Sequence, residues 1–155
     1  MNVTIELQNH SGNRDIPLRR QFKHWALTAL QHIAPQQQVN RLSIRIVDEA
    51  ESATLNSQYR SKPDATNILS FPVPDEMPAS PLLGDLAICA QVVNQEAVSQ
   101  HKTQDAHWAH LTVHGVLHLR GYDHEVPDEA AAMESMEIRI LHQLGYRNPY
   151  EPQES

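Results

Sequence analysis

The sequence predicts an α+β fold, a single mixed sheet of about four strands packed with about five helices. Two observations carry that expectation. Segments of strand period and segments of helical period follow one another in the order β-α-β-α-β-β-α-α-α. No internal repeat, low-complexity tract or linker interrupts the 155 residues, a length suited to one domain, 1–155, that buries roughly 70% of its unfolded surface.

Each element has its own signal. Val3 to Gln8 alternates apolar and polar residues, as a half-buried strand does. Leu18, Phe22, Trp25, Ala26, Ala29, Leu30 and Ile33 mark a helix that Pro35 closes, with Arg19, Arg20 and Lys23 on its polar side. Leu42, Ile44 and Ile46 alternate through a second strand, and Asp48 with Glu51 resembles a capping box opening a helix to about Tyr59. A polar loop, Arg60 to Thr66, leads to a third strand, Ile68 to Phe71. Pro72, Pro74, Pro78 and Pro81 then preclude regular structure and suggest a functional loop. Gly84 to Ala90 is a fourth strand, and helices follow over Gln91–Gln100 and Gln104–Leu119, the latter ending at Gly121. Pro127 begins the last helix, with Met133, Met136, Ile140, Leu141 and Leu144 on one side and Gly145 beyond its end.

Composition narrows the class of protein. Apolar content of 40% and charged content of 20% describe an ordinary soluble globular chain. The one cysteine excludes an internal disulfide and argues for a reducing compartment with no disulfide-linked partner. No apolar run approaches the ~20 residues of a membrane span, and the start lacks a signal-peptide pattern, so a cytoplasmic protein is expected. A formal charge of −7 argues against broad, nonspecific nucleic-acid binding. That charge is unevenly spread, at +3 over residues 1–62 and −10 over residues 63–155.

Ten histidines are present, and His101, His107, His110, His114, His118 and His124 fall within 24 residues. On a helix, His114 and His118 are one turn apart, about 6 Å along the axis, and both can reach one zinc. A third ligand one further turn along would lie roughly 12 Å from the first, so the chain must leave the helix. Gly121 can take the left-handed conformation that reverses the chain and brings in His124. The pattern matches the ligand geometry of the metzincin proteases, except that Gly115 stands where their general-base glutamate would be. Three nitrogen ligands leave a fourth position for water, the catalytic arrangement of a single zinc, though imidazole accepts other divalent metals. His107 and His110 share the helical face and read as satisfied structural histidines, with contacts to a ligand or substrate as the alternative. His10, His24, His32, His101 and His142 read as surface residues.

The run His114 to His124 (HGVLHLRGYDH) resembles the signature of the YbeY family, bacterial endoribonucleases needed for rRNA maturation. Leu55–Arg60, Thr66–Pro72, Leu83–Leu86 and Leu144–Tyr146 agree with it, so the resemblance spans nearly the whole chain. It implies an α+β fold and one zinc per chain on His114, His118 and His124, with Arg60 as the functional arginine. It further implies a single-strand-specific, metal-dependent endoribonuclease acting in late-stage 70S ribosome quality control and in maturation of the 3′ end of 16S rRNA. The partners so implied are single-stranded RNA and rRNA, the ribosome or its small subunit, and assembly factors. Three departures stand out: Ser61 where glycine is common, Pro63 earlier in the loop than the family's proline, and Asn67 for a frequent aspartate.

Arg60, with its planar donors, suits a role in stabilising phosphoryl charge. Asp85 and Asp123 are candidates for supporting a ligand imidazole or moving a proton, and Asp85 equally fits a turn into its strand. Arg19, Arg20, Lys23, Arg41, Arg45 and Lys62 could guide a phosphate backbone. Two other functions are open: a zinc peptidase, disfavoured by Gly115, and a ribosome-assembly factor in which the metal only staples helix to turn.

Overall fold

The computed structural model describes residues 2–33, 41–73, 82–123 and 125–151. Pro35, Pro74, Pro78, Pro81 and His124 lie outside them. Four strands and five helices follow in the expected order: β1 (Thr4–Asn9), α1 (Arg19–Ile33), β2 (Arg41–Val47), α2 (Glu49–Arg60), β3 (Ile68–Pro72), β4 (Leu82–Cys89), α3 (Ala90–Ser99), α4 (Gln104–Leu119) and α5 (Pro127–Gln143). The sheet is mixed, in the order β1-β2-β4-β3. β1, β2 and β4 run parallel and β3 pairs antiparallel with β4, placing β3 at one edge.

Strand alternation decides which face receives the helices. Leu42, Ile44, Ile46, Leu86 and Ile88 are buried under α1 and α4, while Ser43, Arg45, Asp85 and Ala87 point to the side where α2 lies. Asp48 caps α2 by accepting from the Glu51 amide at 2.8 Å, as its spacing predicts. Phe22 of α1 meets Trp108 of α4 edge to face at 5.9 Å, joining the two helices over the sheet. No helix among the described residues is long and apolar enough to cross a membrane.

α4 is the central helix, packed by α1, α3, α5 and the sheet. Gly115 lets it approach closely, because a methyl group there would meet Ile68 and Leu86 side chains at 2.8 Å. The helix is consequently buried nearly all round. From its second turn to its end, the only residues left partly exposed are His110, His114 and His118.

Candidate functional site

Those three histidines are spaced four apart, so the one accessible stripe of α4 is a column of imidazoles. Nε2 of His114 and Nε2 of His118 face each other at 3.0 Å. Behind them stands Glu137 of α5, fully buried, at a position between Met133 and Leu141 on the apolar side of its helix. His114 donates from Nδ1 to Glu137 Oε1 at 2.5 Å, and His110 Nε2 reaches Oε2 at 3.2 Å. The Tyr150 hydroxyl also donates to Oε2, and its ring packs edge to face on His110 at 5.4 Å.

This network fixes a tautomer. With its Nδ1 proton held by a carboxylate, a neutral His114 presents the Nε2 lone pair toward His118. Burial works to raise the Glu137 carboxyl, but hydrogen bonds from His110 and His114, with their charge, outweigh it and hold the group down at about 2. Burial likewise pushes the His110 imidazole below its usual value, against the pull of Glu137. For Tyr150, burial first and Glu137 second push the phenol up, so it remains a donor.

Gly121 behaves as its position predicts. It takes φ +92°, its amide bonds to the His118 carbonyl at 3.0 Å, and Tyr122 bonds back to Leu117 at 3.0 Å. The chain turns there, and Asp123 lies half-buried on the turn. The expected third ligand, His124, falls outside the described residues, so the structure brings together two of the three. That pair fits a zinc ion in donor type and spacing. Two nitrogens on one tetrahedral zinc, at Zn–N of 2.0–2.1 Å, stand about 3.3 Å apart, and here one ring is already braced by a carboxylate.

The other histidines separate cleanly. His107 is buried and bonds through Nε2 to Glu96 at 2.9 Å, and Asn67 donates to the same carboxylate at 3.1 Å. His107 is thus structural, and Asn67 serves as a donor where an aspartate would set a second carboxylate against Glu96. His110 belongs to the Glu137 network. His10, His24, His32, His101 and His142 are exposed, as expected.

Arg60 ends α2, exposed and without an ion pair among the described residues. Its loop is pinned by Ser52, which bonds both ways to the Thr66 backbone, and by the Asn56 amide, which donates to the Asp64 carbonyl at 2.7 Å. Ser61 takes φ +57°, which gives a physical reason for glycine there. Next to Arg60, Tyr59 packs on Phe71 of β3 at 4.9 Å, while Leu119 at the far end of α4 approaches Gly84 beside Phe71. Tyr59, beside Arg60, and Leu119, beside His118, therefore both approach the Phe71 end of edge strand β3.

Asp85 points away from the His114 and His118 side of the sheet. Leu86 faces Gly115 of α4, so its neighbour points the other way, into a groove of about 490 Å³ shared with Tyr59, Phe71 and Arg45. Of the basic residues expected to guide RNA, Arg41 pairs with Glu6 at 3.5 Å and Arg45 with Glu51 at 3.1 Å. Arg19, Arg20 and Lys23 sit on α1, which packs over the β1 side of the sheet, away from β3.

Sequence reasoning missed Glu137 and Tyr150. Glu137 left a signal, a carboxylate set within an apolar helical stripe; Tyr150 left none.

Fold and site together define an α+β protein whose buried central helix displays a carboxylate-braced histidine pair. The profile of the family described as Endoribonuclease YbeY matches residues 6–145. Endoribonuclease YbeY of Nitrosococcus oceani is 48% identical over 97% of this chain and 99% of its own length. That of Coxiella burnetii (strain Dugway 5J108-111) is 47% identical over 96% and 99%. The chain belongs to the YbeY endoribonuclease family. The solution structure of TM1509 from Thermotoga maritima shares the fold, with a TM-score of 0.55 at 20% identity over 91% of both chains.

Proposed function

We propose that this chain is a single-domain, single-strand-specific, metal-dependent endoribonuclease that acts in the cytoplasm. Its task is maturation of the 3′ end of 16S rRNA and late-stage 70S ribosome quality control, with ribosomal particles and assembly factors as partners. The observation that carries the reading is the facing His114–His118 pair braced by buried Glu137, taken with family membership. One zinc ion is assigned to His114, His118 and His124, where it would supply Lewis-acid polarisation and an activated water.

The chain's own groups have distinct tasks. Glu137 holds the Nδ1 proton of His114 and so keeps its ring oriented with Nε2 turned toward His118, Tyr150 keeps Glu137 oriented, and Gly121 turns the chain after α4. Arg60 lacks an ion pair among the described residues, so its guanidinium can bind a phosphoryl oxygen and offset charge gathering there.

A peptidase is further disfavoured because position 115 faces the sheet, with no room for a general-base side chain. The test is cleavage of a single-stranded RNA by purified protein beside His114→Ala and Arg60→Glu, with circular dichroism confirming that both variants fold. Wild-type cleavage stopped by a chelator and restored by zinc, with loss in both variants, is the expected result. Equal activity in all three would assign the cutting to a contaminant and refute the proposal.

A further inference from the structure

A second cavity, of about 300 Å³, lies at the other end of α4, between the α3–α4 turn and the segment after α5. Its floor is apolar, from Ala106, Leu141 and Pro149, and its polar wall carries His101, Lys102 and Arg147. Residues 63–155 contain only four Lys and Arg against fourteen Asp and Glu. Two of those four converge here. Neither Lys102 nor Arg147 forms an ion pair among the described residues. Glu96, the acid acting on Lys102, is already engaged by His107 and Asn67. Cations without such pairs over an apolar floor, inside an acidic half of the chain, define a site for an anion with a nonpolar body.

The cavity's position adds a direction. Thr103 and Ala106 line it, and with His110, His114 and His118 they occupy an arc of about 120° on α4 at 100° per residue. It therefore lies on the same face of α4 as the histidine pair, about 12 to 22 Å away along the axis, with Tyr150 packed on His110 between them. A few nucleotides of extended strand cover that distance.

We propose that this cavity is a phosphate subsite for a nucleotide unit, one that holds an RNA strand upstream or downstream of the bond being cut. The assignment rests on the endoribonuclease reading, and the same chemistry would also hold a free mononucleotide. Lys102 and Arg147 contact the phosphate, while the apolar floor receives the sugar or base.

The test measures binding to the full chain of two probes: a fluorescent 2′-O-methyl single-stranded RNA, verified as intact on a gel after each measurement, and AMP. The variants are Arg147→Glu and Lys102→Gln, with Arg139→Glu as a matched charge change on the exposed face of α5. Each cavity variant is expected to weaken RNA binding about tenfold, the size of one charged hydrogen bond removed. Each should also flatten the salt dependence by about 0.7 in slope for every phosphate no longer neutralised. Arg139→Glu is expected to bind as wild type. Loss confined to AMP would keep the phosphate subsite and assign it to a free nucleotide. Unchanged binding of both probes would overturn the proposal, and so would equal weakening by Arg139→Glu, which indicates bulk charge alone. Because neither probe is cleaved, a chain that cuts no RNA refutes the endoribonuclease reading without altering this measurement.

Discussion

Replacing Glu137 by glutamine tests the site at its most constrained atom pair. The carboxylate is fully buried and accepts from His114, His110 and Tyr150. Glutamine keeps one acceptor oxygen and substitutes an NH2 group for the other. If that oxygen stays on His114, the NH2 meets the His110 and Tyr150 donors. The Tyr150 hydroxyl can turn and accept, but His110 can relieve the clash only by moving its proton to Nδ1, a buried atom with no partner among the described residues. One donor is left unsatisfied and a charge-assisted bond becomes neutral, which costs about 2 kcal/mol. For a chain of this size, that lowers the melting temperature by roughly 4–8 °C. Loosening the ring that presents Nε2 is expected to weaken binding of the proposed zinc about 10- to 100-fold. Competition with a chromophoric chelator measures the affinity, and calorimetry of metal-free protein measures the stability. Zinc affinity within about twofold of wild type, with an unchanged melting temperature, would refute the claim that Glu137 braces the ligand.

Tyr150→Phe removes one donor to Glu137 while keeping the ring on His110, and is expected to cost about 1 kcal/mol and a smaller share of zinc affinity, read by the same two assays. Because the Glu137 carboxyl is held at about 2 from an ordinary 4.5, its stabilisation is complete above pH 4.5 and lost as pH falls through about 2, on the order of 3 kcal/mol. Urea titrations across that window should show wild type losing stability that Glu137→Gln does not. Gly115→Ala gains about 1 kcal/mol of helix propensity but forces a methyl onto Ile68 and Leu86, so a net loss of about 1 kcal/mol is expected on denaturation.

The order of elements was readable because each strand and helix carries its own period, and boundaries agree within two residues at most ends. α4 was the clearest, with both ends as expected, since Thr103 caps it and Gly121 breaks it. Glu137 was not identified because its role arises only when α5 docks on the histidine stripe of α4. In the sequence it is one acid on a helix rich in them. Tyr150 lies beyond any periodic segment, and no local rule says that the chain after Gly145 returns to that network. Asp85 illustrates a different limit. Alternation with Leu86 and Ile88 fixes that it points away from them, but not on which side α4 will pack. Position 67 reads as an aspartate replaced until Glu96 appears opposite it, when the amide becomes the group that fits.

The charge distribution and the fold together limit how this enzyme can hold RNA. Of the six cations in the mildly basic N-terminal portion singled out for a backbone track, Arg41 and Arg45 are neutralised by Glu6 and Glu51. Three more, Arg19, Arg20 and Lys23, lie toward the opposite edge of the sheet from β3. The sixth, Lys62, stands two residues after Arg60, so what remains near the histidine stripe is Arg60 with Lys62 and Arg120 toward one end and the Lys102–Arg147 cavity at the other. Few phosphates can be neutralised at once, so the counterion release that drives binding is small. Bare RNA should therefore bind weakly and with a shallow salt dependence, and efficient cutting should require a ribosomal particle to present the strand. Filter binding and cleavage assays with isolated RNA, against the same RNA within small subunits, measure both. Tight, steeply salt-dependent binding to isolated RNA would contradict this account of the surface.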